Sequence, residues 1–164
     1  MKNMVIKKYY NLDIGQVDST KGTDPITVKN TVTFKKENDI PIITKIWDSP
    51  GKERFQVLVA NAIRNTRGIF LVYDITIRDT FDDLNKWIDR IEGCHDISQY
   101  PIVIIGNKND LEAKRQVSKE EAQKFADTYH FPYFEASALT GKGVMEAFSA
   151  LIEKVYERTL TEKQ

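Results

Sequence analysis

Asn107-Lys108-Asn109-Asp110 brings an amide, an ammonium and a carboxylate together directly after the apolar run Pro101-Ile102-Val103-Ile104-Ile105-Gly106. A β-branched run that stops at a glycine and opens into a polar loop suits a strand buried on both faces of a parallel sheet, at the end that meets a ligand crevice. There Asp110 can accept two hydrogen bonds from a planar donor pair, such as the N1–H and exocyclic amine of guanine, whereas adenine presents the wrong groups. Such a site rejects the wrong base by roughly 10⁴-fold, because the mismatch strands buried polar groups. Lys108 can lay its methylene stem over a base face, and Asn107 can tie neighbouring loops together. A solvated turn after a strand also favours Asn, Asp and Lys, so these four residues alone are a weak signal.

Three further stretches strengthen it. Ile46-Trp47-Asp48-Ser49-Pro50-Gly51-Lys52-Glu53-Arg54-Phe55 puts an Asp at a strand end, with a Gly beyond a Ser-Pro step. Gly68-Ile69-Phe70-Leu71-Val72-Tyr73-Asp74-Ile75-Thr76 reads as a second buried strand, and Phe134-Glu135-Ala136-Ser137-Ala138 ends a third with small residues. In this order and at these separations the set resembles the Ras superfamily of small GTPases. The Leu-Val-Tyr-Asp-Ile-Thr run with Trp-Asp-x-x-Gly-x-Glu-Arg-Phe is most similar to the Rab branch. The resemblance is specific from about Ile42 to Arg158 and loose before that.

The resemblance implies an α/β fold, a three-layer Rossmann-like G domain of the P-loop NTPase kind, mostly parallel with one antiparallel edge hairpin and without the first central strand. It implies GTP or GDP and Mg²⁺ as ligands. Asn107, Lys108, Asp110, Ser137, Ala138 and Leu139 fall at guanine-reading positions. Gly51 falls where a backbone N–H meets the γ-phosphate, and Asp48 where Mg²⁺ is held through water. Leu139 stands where the family carries a Lys beside the base, keeping bulk and dropping charge. Lys52 stands at the position of the Gln that orients attacking water, a task an ammonium cannot share because it accepts no hydrogen bond. Lys52 is therefore read as an exposed switch residue, no catalytic residue is assigned, and hydrolysis is expected to be slow.

The first residues depart most from the pattern. No Gly-x-x-x-x-Gly-Lys-Ser/Thr phosphate loop occurs in the 164 residues. Matching Met4-Val5-Ile6 and Tyr9-Tyr10 to the first helix sets Lys2 at the phosphate lysine and Asn3 at the Mg²⁺-binding hydroxyl. An alternative makes Asp18-Ser19-Thr20-Lys21-Gly22-Thr23 a corrupted phosphate loop, with too few glycines and no room for the helix. Residues 11–26 read as a loop at the first switch, where an ungapped count puts Pro25 at the switch threonine.

Composition bounds the rest. Residues 1–164 read as one domain, N-terminally truncated or divergent, long enough to bury about two-thirds of its unfolded surface. Lys plus Arg and Asp plus Glu are 24 each, so no net field favours nucleic acid or an anionic membrane. Cys94 is the one cysteine, which excludes an internal disulfide and fits a reducing compartment. No apolar run reaches the ~20 residues that span a bilayer, and Thr161-Glu162-Lys163-Gln164 offers no prenylation site. The expectation is a cytoplasmic protein, peripheral to endomembranes through partners, with no membrane anchor in this chain.

Alternation over residues 27–36 and 40–47 predicts a hairpin. Helical spacing predicts helices near 53–65, over 81–92 with Thr80 as N-cap, over 122–129 behind a Ser118/Glu121 capping box, and over 143–159. His95 and His130 read as surface residues at helix ends. Two functions follow: a guanine-nucleotide switch of vesicle transport that hydrolyses GTP weakly or not at all, and a pseudo-GTPase that binds effector or regulator proteins without nucleotide. A metabolic dinucleotide enzyme fits worse, since no Gly-x-Gly-x-x-Gly follows a strand. Deleting a central strand orphans backbone groups at about 1–3 kcal/mol each. The chain alone is therefore expected to be a fragment or decayed paralogue, marginal or unfolded. Cooperative thermal unfolding of the purified chain well above ambient temperature would refute that.

Overall fold

The computed structural model describes residues 27–35, 41–48 and 56–162, and the chain divides into two compact units, Met1–Ile63 and Arg64–Gln164. In the first unit the β-branched alternation forms the expected hairpin. Strand β1 (Thr27–Lys35) pairs antiparallel with β2 (Pro41–Asp48), Thr27 opposite Asp48 and Lys35 opposite Pro41, with a register irregularity between Val28 and Asn30. Its turn, residues 36–40, lies outside the described residues. Helix α1 (Gln56–Asn65) follows.

The second unit is an α/β layer structure. Its sheet orders β3 (Ile69–Asp74), β4 (Ile102–Asn107) and β5 (Tyr133–Ala136), all parallel. Ile102, Val103, Ile104 and Ile105 are all buried, as a strand covered on both faces requires. Alternation divides the side chains. Val103, Ile105 and Ala136 pack against Ala147 and Leu151 of helix α5 (Val144–Thr161), and Phe70 meets Phe148 at 4.7 Å between ring centroids. On the opposite face Tyr73 packs edge-on against Phe81 of the short helix α2 (Arg78–Asp82), and Phe81 against Phe125 of α4 (Lys119–Thr128). Helix α3 (Leu84–Glu92) buries Leu84, Ile88 and Ile91, the stripe its spacing predicts.

Four expectations are corrected. Residues 81–92 are not one helix capped by Thr80: α2 and α3 meet at Asp83, and Thr80 lies inside α2. Its hydroxyl is drawn back to the sheet, accepting from the Asp74 amide at 3.0 Å and donating to the Ile77 carbonyl at 2.7 Å. Strand β3 is not fully buried: Val72 is 53% exposed, because among the described residues β3 has a strand neighbour on one side only. His95 is half-buried and stacks on Tyr100 at 4.0 Å. The Ser118 cap is present, its hydroxyl accepting from the Glu121 amide at 3.1 Å, but the Glu121 carboxylate pairs with Arg78 rather than closing a box.

Gly143 precedes α5 with φ +71°, and a β-carbon there would lie 2.0 Å from the Glu135 carbonyl oxygen. Gly143→Ala should cost about 2–4 kcal/mol, combining left-handed strain with overpacking. Gly93 has φ −64° and its nearest atoms at 3.5 Å, so Gly93→Ala should change stability by less than about 1 kcal/mol. Urea midpoints of the two variants test this, and equal midpoints would contradict the geometry.

Candidate base-recognition site

The three parallel strands end in one row: Asp74 is level with Asn107, and Asn107 with Ala136. Every loop that follows a strand in this unit therefore leaves from the same edge of the sheet. The row beneath is Tyr73, Gly106 and Glu135. A β-carbon on Gly106 would sit 2.8 Å from the Tyr73 hydroxyl and 3.0 Å from that of Tyr133. Glycine here makes room for the two phenols, which hydrogen-bond at 2.9 Å. Burial pushes the Tyr73 hydroxyl up to about 12, so at neutral pH it is a neutral donor.

Each expected residue of the loops has a defined place. Asn107 ties the loops together: its Oδ1 accepts from the Ala138 amide at 3.2 Å, and its carbonyl from the Ile75 amide at 3.1 Å. Lys108 adopts φ +69°, ψ +35°, a left-handed conformation rare outside glycine and found where surroundings impose it. Its Nζ pairs with Asp74 Oδ2 at 2.5 Å, which draws its stem across the carboxyl ends of β3 and β4. Asp110 lies in the 3₁₀ segment Asn109–Lys114, exposed, and its carboxylate has no hydrogen-bond or ion-pair partner among the described residues. Two acceptor oxygens remain unspent, two residues beyond Lys108.

Ser137 is fully buried. Its Oγ accepts from the amides of Leu139 (3.2 Å) and Thr140 (3.1 Å), while its own amide donates to the Lys142 carbonyl at 2.9 Å. Leu139 is 67% exposed. The amides of Ser137, Ala138, Leu139 and Thr140 are thus all engaged within the unit, so a ligand carbonyl reaching Ala138 must displace Asn107 Oδ1. That exchange of one hydrogen bond for another is nearly neutral in free energy. The Asp110 carboxylate, by contrast, has no partner to give up among the described residues.

Asp48 closes β2 in the first unit, and Lys2, Gly51 and Lys52 lie outside the described residues. Among the described residues, no three His, Cys, Asp or Glu side chains are grouped to hold a metal ion, and no helix is long and apolar enough to cross a membrane.

Asp74 is the partner the motif reading passed over. Its Oδ1 accepts from the Thr76 amide (2.9 Å) and hydroxyl (2.6 Å), and its Oδ2 holds Lys108. The Asp-x-Thr pattern after an apolar run was the available signal, since Asp and Thr at that spacing close an Asx turn. Pairing with Lys108, just past the end of the next strand, left no trace in the sequence.

A family model described as "Ras family" matches residues 4–157. Ras-related protein RABA6b of Arabidopsis thaliana is 37% identical over 125 residues, covering 76% of this chain and 54% of that protein. Ras-related protein Rab-8B of Bos taurus is 43% identical over 111 residues, covering 68% of this chain and 53% of that protein. The chain therefore spans about half the length of these curated relatives.

Partial burial alone would raise the Asp74 carboxyl, but the Lys108 ammonium and Thr76 outweigh it and hold it below its ordinary value of 3.8. A depressed folded-state pKa supplies stability that is present above the unfolded-state value and lost as pH falls through the folded one. Asp74→Asn should lower stability at pH 7 and flatten the loss of stability below about pH 4. Urea unfolding between pH 7 and pH 2 measures it, and parallel profiles for the two proteins would sink the assignment.

Proposed function

The chain belongs to the Ras family, and on that premise we propose that it is a Rab-like domain that binds GTP or GDP as a switch in intracellular vesicle transport, with weak or no hydrolysis. The observation carrying this reading is the Asp110 carboxylate, unpaired among the described residues, beside a left-handed Lys108 at the end of the row Asp74, Asn107, Ala136. Asp110 accepts from guanine N1–H and the exocyclic amine. The Lys108 stem, stretched towards Asp74, forms the shelf for the base, and Asn107 and Ala138 form the wall at its 6-oxo group. Leu139 adds an apolar contact at the rim. Gly51 and Lys2 are the phosphate-side positions and Asp48 the Mg²⁺ position, through water. Effector or regulator proteins meet the switch segments and the hairpin, and any attachment to endomembranes runs through them.

The second reading, an interaction module that binds no nucleotide, is favoured by one observation. The 164 residues contain no Gly-x-x-x-x-Gly-Lys-Ser/Thr, and oriented backbone N–H groups of that loop are a strong source of phosphate affinity.

Titration with labelled GDP, with and without Mg²⁺, separates the two. Micromolar binding, about −8 kcal/mol, displaced by GTP and not by ATP, supports the switch. Asp110→Asn replaces an acceptor with a donor facing the guanine amine, so GDP should weaken by about 10²-fold or more while xanthosine diphosphate, with a carbonyl at that position, gains. Indifference of a cooperatively folded chain to GDP would leave the interaction module.

A further inference from the structure

One fully satisfied side chain of the second unit is not used by the site described above. Arg115 follows the 3₁₀ segment that carries Asp110. Its Nε and Nη2 donate to the two carboxylate oxygens of Glu112 at 2.7 Å each. Its Nη1 and Nη2 donate to the two oxygens of Glu135 at 2.7 and 3.0 Å, and Nη1 also reaches the Val117 carbonyl at 3.0 Å. All five guanidinium N–H groups are thereby matched to acceptors.

The two carboxylates belong to different elements. Glu112 lies two residues beyond Asp110 in the same 3₁₀ segment. Glu135 lies on β5, two residues before Ser137, and its Oε1 also accepts from the Tyr133 hydroxyl at 2.9 Å, which continues to Tyr73. The Arg115 and Glu135 side chains are only 15% and 14% exposed, so their geometry is held by packing, whereas Glu112 is 68% exposed.

We infer that Arg115 is a positioning residue of the base site: its doubly bidentate guanidinium locks the Asp110 segment to the strand that ends at Ser137-Ala138, so the carboxylate and the Ala138 amide keep one spacing. This rests on the guanine reading of that site. An ion pair serving stability alone needs one carboxylate. This one joins the 3₁₀ segment to the strand that ends at Ser137-Ala138, alongside the 3.2 Å bond from the Ala138 amide to Asn107 at the end of β4 and the attraction between Lys142 and Glu112.

Glu112→Ala opens the exposed end of the clamp and leaves the buried Arg115–Glu135 pair intact, so the fold is not at stake; Arg115→Lys, which keeps the charge and forfeits the fork, is the companion variant. The readout is the preference for GDP over inosine diphosphate, which retains the 6-oxo group and N1–H and lacks the exocyclic amine. Both variants should lose about tenfold of that preference, with the Glu112→Ala thermal midpoint within about 2 °C of the parent, since exposed pairs stabilise little. Amide hydrogen exchange of the nucleotide-free chain is the second readout: the Leu111 amide and those of Leu139 and Thr140 should lose protection together. Equal weakening of both nucleotides, or loss of protection in one loop alone, overturns the inference. A parent chain that binds neither nucleotide refutes the guanine reading instead, and the exchange measurement then decides whether Arg115 couples the loops.

Discussion

Alignment of Asp74, Asn107 and Ala136 in a single register row is the constraint on which the second unit depends. A one-residue slip in any strand would turn its side chains to the other face of the sheet. It would carry Asn107 away from Ala138, part Lys108 from Asp74, and press the Tyr73 and Tyr133 hydroxyls against a side chain instead of Gly106. The apolar packing enforces the row from below. Val103 and Ile105 have to face α5, and Ile102 and Ile104 the opposite layer. The hydrophobic pattern of β4 and the position of its functional loop are thus one requirement.

Just beneath that row a polar chain runs from the sheet out to the surface: Tyr73, Tyr133, Glu135, Arg115 and Glu112. Removing one member of a half-buried pair strands its partner, and a buried donor or acceptor without a partner costs about 1–3 kcal/mol. The chain is satisfied link by link, which lets it rigidify rather than weaken the sheet edge. Burial and the neighbouring phenol and carboxylate push the Tyr133 hydroxyl well above its ordinary value, and Glu112 and Glu135 raise the Arg115 guanidinium. The two phenols and the guanidinium therefore keep their protons throughout the neutral range, and their hydrogen bonds act as a fixed brace.

Membership of the Ras family rests on a match over residues 4–157, while the polar groups at the loop edge divide into spent and unspent. Asn107 is engaged with Ala138, Lys108 with Asp74, and Ser137 with the backbone of Leu139, Thr140 and Lys142, and Asp110 is free of partners among the described residues. Binding energy is most available where preorganised groups exchange water for ligand without breaking internal bonds. For that reason Asp110 is the centre of the proposed specificity and the amides of 137–140 its accommodating side.

The sequence by itself determined the alternation of strands and helices, the hairpin, the burial of β4 and the stripe of α5, because these follow from hydrophobic periodicity within one element. Gly106 ahead of a polar loop and Ser118 as a helix cap were legible on the same local grounds. Only the tertiary structure decided that Thr80 binds back to β3 rather than capping a helix, that Val72 is exposed at the sheet edge, and that Lys108 turns to Asp74. The 137–140 amides turning inward and the bridge from Arg115 to Glu135 belong with these. In each case the deciding partner lies on another strand or in another loop, beyond the reach of spacing along the chain, and the choice among nearby polar partners is settled by where the register row brings them.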